Sequence, residues 1–267
     1  MAVTAVSYAL RGRRRPRAWV RPLPWLLAAT TVGLQIAYPL VDGAARDRVT
    51  VATVVTFAGA CVAHAVVTRG PAWALGLLVI TAGVGFAAEA VGVHNSLPFG
   101  RYSYGGSLGP ELFDVPVVVP LAWTMMSYPV LLAARRLTRR WAPLVGGYGL
   151  MAWDVCLDPQ MVDDGHWAWA EPTPSFPGVE GIPLTNFAGW FVVGTLLMLV
   201  LTAVLSRPAP RQRTDESVPA ALLTWTWVGY VVGNLYWFGT DSVALVGGIA
   251  LGLLVVPYLW SLWQSRA

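Results

Sequence analysis

Gly146-Gly147-Tyr148-Gly149-Leu150-Met151-Ala152-Trp153-Asp154-Val155-Cys156-Leu157-Asp158-Pro159 decides how the chain is read. An apolar, glycine-rich run ends in two carboxylates four residues apart. Four residues are one helical turn, so Asp154 and Asp158 project from one face, and Pro159 predicts that the helix stops just before or at Asp158. Carboxylates at membrane depth cost about 2.5 to 3.5 kcal/mol each on insertion scales, so they belong against a protein interior or a wet cavity and mark function.

The rest of the chain puts that run in a membrane. With 56% hydrophobic and 12% charged residues, a mean hydropathy of +0.57 and 14 tryptophans, the composition is too apolar for an ordinary soluble domain. It reads as an all-α, polytopic transmembrane bundle. Apolar stretches long enough to cross a bilayer run over about 24–42, 49–68, 72–93, 115–134, 141–158, 184–205, 219–238 and 243–263, which gives eight spans. Residues 1–22 form a basic segment ahead of a single membrane domain, 23–267, and the long first apolar run without a small-residue cleavage site reads as a retained span.

All 18 basic residues are arginine, and their positions follow topology rather than a nucleic-acid surface, so no nucleic-acid partner is expected. With the N-terminus inside, 15 arginines fall on the cytoplasmic side and only Arg46, Arg48 and Arg101 fall outside. The expected location is the cell membrane, with both termini cytoplasmic and with 94–114 and 158–183 facing outward. Cys61 and Cys156 lie inside spans and imply no disulfide framework.

Most spans read as scaffold. His64 is expected to be a satisfied interior histidine. Gly229-x-x-x-Gly233 and Gly248-x-x-x-Gly252 read as close helix packing. Trp25, Trp73, Trp141 and Trp263 read as an interfacial belt. The third span differs, because Glu89 interrupts it between Gly85 and Gly92 on one face, which predicts that this face packs inward. It leads into His94 to Val115-Pro116, rich in glycine, proline and rings, which suits an ordered cap or re-entrant turn. The segment 158–183 has the same character with His166-Trp167-Ala168-Trp169, and it leads into Asn186 at the start of the sixth span. Glu89, Asp154, Asp158 and Asn186 thus reach one depth from three helices and predict a shared site.

Pro98-Phe99-Gly100-x-Tyr102-x-Tyr104 with Leu108-Gly109-Pro110, Trp153-Asp154-x-x-x-Asp158-Pro159, Trp167-x-Trp169, and Gly181-Ile182-Pro183-x-x-Asn186-x-x-Gly189-Trp190 together resemble the membrane carotenoid-biosynthesis proteins. That family includes hydratases of carotene ends, as in the bacterioruberin pathway, and the resemblance covers most of residues 72–205. It implies an acyclic polyene substrate, a lipid bilayer around the protein and contact with other membrane enzymes of carotenoid synthesis. It assigns no catalytic residue.

The side chains themselves fit hydration of a terminal isoprene double bond in a C40 or C50 carotene. Such a reaction needs a proton for one carbon, a tolerated tertiary cation at the other, and a positioned water. Asp154, Asp158 and Glu89 are the catalytic candidates, with Asp154, the deeper acid, expected as proton donor and Asp158 as its water-orienting or structural partner. Tyr102, Tyr104, Trp153 and Trp190 offer aromatic faces to the cation, and Phe99, Trp167 and Asn186 complete the substrate-binding set. No metal or organic cofactor is required. Two alternatives stand beside this reading. Asp154-x-x-x-Asp158 also suits Mg²⁺-diphosphate binding in a prenyltransferase or lycopene elongase, and a carotenoid-binding protein without chemistry is the third class. A metal set drawn from Glu89, His94, Asp154, Asp158 and His166 is short of histidines for a di-iron oxygenase.

Overall fold

Helices begin and end where the chain chemistry demands. In a computed structural model that describes residues 21–205 and 215–265, α2 (Gly43–Arg69) and α3 (Pro71–Asn95) are separated by Gly70 alone. Gly70 takes φ +100°, its N–H closes the end of α2 on the carbonyls of Ala65 and Val66, and Pro71 opens α3 at a position where no amide donor is needed. The other helices are α1 (Leu23–Ala37, continued by a 3₁₀ turn, Tyr38–Leu40), α4 (Val119–Leu137), α5 (Ala142–Asp163), α6 (Leu184–Val204), α7 (Ser217–Tyr236) and α8 (Asp241–Gln264). Each coincides with one of the eight expected stretches.

Among the described residues, five of the eight are long and apolar enough to cross a membrane on their own: Leu23–Leu40, α2, α3, α6 and α8. Two of the other three, α4 and α5, have a physical reason to fall short. Arg135 and Arg136 end α4, Asp154 and Asp158 lie in α5, and both helices bury much of their length inside the bundle. An interior helix can carry polar groups that a lipid-facing one cannot. The expected basic segment 1–22 lies largely outside the described residues, as do Arg207, Arg211, Arg213 and Arg266.

Glycines set how closely the central helices approach. A Cβ at Gly147 would lie 2.1 Å from Thr195 Oγ1, 2.7 Å from Thr195 N and 2.8 Å from Phe191 O, so α5 and α6 touch backbone to backbone. A Cβ at Gly85 would lie 2.4 Å from Trp123 Cγ, and one at Gly92 2.9 Å from Phe99 Cδ2, which bears out the inward packing of the Glu89 face. Gly248 and Gly252 meet Val231 and Trp227 of α7 as packing glycines. Gly229 and Gly233 do not: a Cβ at either would meet only Trp225 or Phe238 of their own segment, and both line a cavity instead.

His64 is buried and its Nδ1 pairs with Tyr128 Oη at 2.9 Å, an interior role. Trp25, Trp141 and Trp263 are exposed near helix ends, while Trp73 lies under the Arg69 guanidinium, 4.9 Å from the ring centre.

One expectation about α5 is overturned. Pro159 does not end the helix, which continues through it to Asp163 and is closed by the Asp164 N–H on Gln160 O. A proline removes one donor and crowds one carbonyl, and the surrounding packing outweighs that cost here.

The two long connections are ordered, and they are ordered by each other. Strand β1 (Tyr102–Tyr104) from the first pairs antiparallel with β4 (Trp167–Trp169) from the second, in the register Tyr102 with Trp169 and Tyr104 with Trp167. Short pairs β2 (Glu111–Leu112) with β3 (Val115–Pro116), and β5 (Ser175–Phe176) with β6 (Val179–Pro183), shape the remainder. The first connection is therefore half of a two-stranded lid rather than a re-entrant turn.

Candidate active site

Alternation along a strand puts Tyr102 and Tyr104 on one face of the lid, and the register brings Trp167 and Trp169 beside them. That face turns down onto the ends of α3, α5 and α6. Tyr102 Oη donates to Glu89 Oε2 at 2.5 Å, Tyr104 Oη to the same oxygen at 2.9 Å, and Trp123 Nε1 of α4 to Glu89 Oε1 at 2.9 Å. Three donors from two segments, β1 and α4, fix one buried carboxyl group. Glu89 is 5% exposed.

The second acid group is built on α5. Asp154 and Asp158 lie one turn apart and buried, and Asn186 in the first turn of α6 spends both amide hydrogens on them, reaching Asp154 Oδ2 at 2.7 Å and Asp158 Oδ2 at 2.6 Å. Two buried carboxyls one turn apart that share a single amide disfavour double ionisation, so the pair keeps a proton. Trp167 Nε1 of the lid completes Asp158 through Oδ1 at 3.2 Å. Each strand of the lid thus holds one acid, Glu89 from β1 and Asp158 from β4.

Between the acids lies a cavity of about 410 Å³. Glu89, Asp158, Asn186, Tyr102, Tyr104, Phe99, Trp153, Trp167 and Trp190 all line it, so nine of the ten sequence candidates meet at one surface. Asp154 is the exception. It is fully buried behind Asp158, with Oδ1 left without a partner, and it is not among the lining residues.

The walls are aromatic. Trp190 stacks on Trp123 with ring centres 4.2 Å apart and planes 6° from parallel, and Trp153 meets Trp190 edge-on at 5.7 Å. Sequence reading missed Trp123, Trp169, Tyr230 and Phe238, all of which line the cavity. A tryptophan inside an apolar span carries no periodic signal that separates a wall from ordinary packing. Trp169 at least stood in the quoted Trp-x-Trp, and its Nε1 donates to Phe99 O at 2.9 Å.

The histidines lie elsewhere. His94 Nδ1 pairs with Ala90 O at 2.9 Å, and His166 is buried with Nδ1 2.7 Å from Ser107 Oγ. Burial pushes the His166 imidazole below its ordinary range, toward the neutral form.

The model of the carotenoid biosynthesis protein family matches residues 49–255. Bisanhydrobacterioruberin hydratase of Haloarcula japonica is 29% identical over 176 residues, covering 61% of this chain and 57% of that protein. The chain thus corresponds to little more than half the length of that relative. No solved structure matches. With the family model spanning both lid strands, all three acids and all or most of seven of the eight described helices, the chain belongs to the carotenoid biosynthesis protein family.

Proposed function

We propose that the protein is a carotenoid hydratase, a hydro-lyase that adds water across the terminal isoprene double bond of an acyclic C40 or C50 carotene. The observation that carries this reading is the pairing of two separately held acid groups, Asp158 and Glu89, on the wall of an otherwise aromatic and apolar chamber. An apolar polyene gains nothing from buried carboxyls unless they do chemistry.

Asp158 delivers the proton it shares with Asp154 to the less substituted alkene carbon, leaving a tertiary cation. Glu89, held as an acceptor by three donors, faces that positive charge together with the rings of Trp190, Tyr102 and Tyr104. Water adds to the cation, and its released proton restores the Asp154–Asp158 pair. A diphosphate-handling enzyme needs cations at its site, and among the described residues no Arg, Lys or His lines the chamber.

Co-expression in a host that makes acyclic carotenes tests the reading. Pigments heavier by one water are expected, formed equally well by detergent-solubilised protein after exhaustive chelation. Pigments heavier by an isoprene unit, or activity restored only by Mg²⁺, would replace hydration by prenyl transfer.

The same reading includes topology. All eight helices cross the membrane, both termini are cytoplasmic and the lid faces outward, because 15 of 18 arginines then lie inside. Ser103 and Thr173 are exposed on the two lid connections, and both native cysteines are buried. Single cysteines at those two positions are expected to react with an impermeant thiol reagent in intact cells. Reaction only after lysis would place the lid inside.

A further inference from the structure

The chamber is too short for its proposed guest. An extended C40 polyene is about as long as the hydrocarbon core is thick, ~30 Å, whereas about 410 Å³ suits only one end of it. The remainder must leave through the wall, and among the described residues the wall has a framed gap between α1 and α7. Two rungs join α1 and its 3₁₀ turn to α7 and the turn that follows it: Trp225 Nε1 donates to Gln35 Oε1 at 2.8 Å, and Phe238 meets Tyr38 edge-on at 6.1 Å.

Between the rungs, α7 turns the Trp225 face toward α1, and that face continues one and two turns later as Gly229 and Gly233. A Cβ at Gly229 would meet nothing nearer than Trp225 at 3.9 Å, so the space is open. On the outside, Ile36, Leu40, Val228 and Val232 are exposed although they line the same cavity. A cavity whose apolar lining is also exposed on the outer surface of a membrane bundle is open to lipid there.

We infer that this gap between α1 and α7 is a lateral window through which the polyene enters from the bilayer, one end reaching Asp158 and Glu89 while the rest of the chain stays in lipid. A substrate with two reactive ends is then processed one end per visit, with release and re-entry between. The inference rests on the acyclic polyene as substrate and adds the route that it takes. It also gives Gly229 and Gly233 a reason to be glycine that helix packing does not.

The test measures binding and turnover separately. Binding of an acyclic C40 polyene to the detergent-solubilised protein is read from quenching of tryptophan emission. Binding of a short olefin of two isoprene units with the same end group is read by calorimetry. Gly229→Leu, which fills the gap from inside, and Val232→Trp, which fills it from an exposed position, are each expected to weaken polyene binding about tenfold or more while changing binding of the short olefin less than about twofold. Polyene binding as tight as wild type in both variants would remove the window, as would equal loss for both ligands, which would indicate a damaged chamber. If the unmodified protein binds the polyene without hydrating it, the hydratase reading fails and the window stands. If it does not bind the polyene, both fall together.

Discussion

Asp158→Asn is expected to lower turnover on an acyclic carotene by about 10²- to 10⁴-fold, the range that a positioned general acid contributes, and to leave expression and detergent stability near wild type. The amide keeps the size of the side chain and its one oxygen still accepts from either Trp167 or Asn186, but the proton is gone. Asp154→Asn is expected to cost less, about tenfold, because Asp154 acts on the substrate only through Asp158. Its signature is a changed pH profile of turnover, which a merely structural role would not produce. This reverses the order that the sequence alone favours. Depth along the helix made Asp154 the expected donor, whereas the cavity touches Asp158. Full turnover in Asp158→Asn, measured by mass analysis of the pigments, would remove the mechanism.

Gly147→Leu is expected to give the largest loss of folded protein. Overpacking a core costs about 1–3 kcal/mol when side chains can shift, and here two of the three nearest atoms are backbone, Thr195 N and Phe191 O, which cannot shift alone. The added side chain would push α6 from α5 and carry Asn186 away from both carboxyls. A fall of several degrees in Tm is expected even for Gly147→Ala, with little correctly folded Gly147→Leu recovered after detergent extraction. The contrast with Gly229→Leu is informative, since that side chain enters open space and spares the fold. An unchanged Tm in Gly147→Ala would mean that the helices separate more easily than their contact implies.

Helix number and position were legible because long apolar runs punctuated by Gly-Pro and arginine pairs are strong signals at any point of the chain. Glu89, Asp154, Asp158 and Asn186 were legible as a group because a polar side chain inside an apolar run is costly wherever it stands. The arrangement among them was not. That Tyr102 and Tyr104 serve Glu89 while Trp167 serves Asp158 depends on a strand pairing between segments about sixty residues apart, and three-residue strands carry no periodicity to read. Pro159 misled for a related reason, since a local preference against continuing the helix was outweighed by contacts made far away in sequence. The glycines at 229 and 233 have the spacing of a packing motif, and only their surroundings separate a seam from an opening.

The lid has a chemical consequence beyond holding the acids in place. Its phenol hydroxyls and indole N–H groups already have protein partners: Tyr102 and Tyr104 on Glu89, Trp167 on Asp158, Trp169 on the Phe99 carbonyl. What remains for the guest is ring carbon, which steadies a cation without trapping it. The carbocation of the proposed hydration is indiscriminate, and a hydroxyl turned toward it would be alkylated, ending activity after one turnover. In the proposed hydration those contacts fix each oxygen and nitrogen against the protein, so the hydrogen bonds that build the site also keep its hydroxyls from turning toward the cation while water adds.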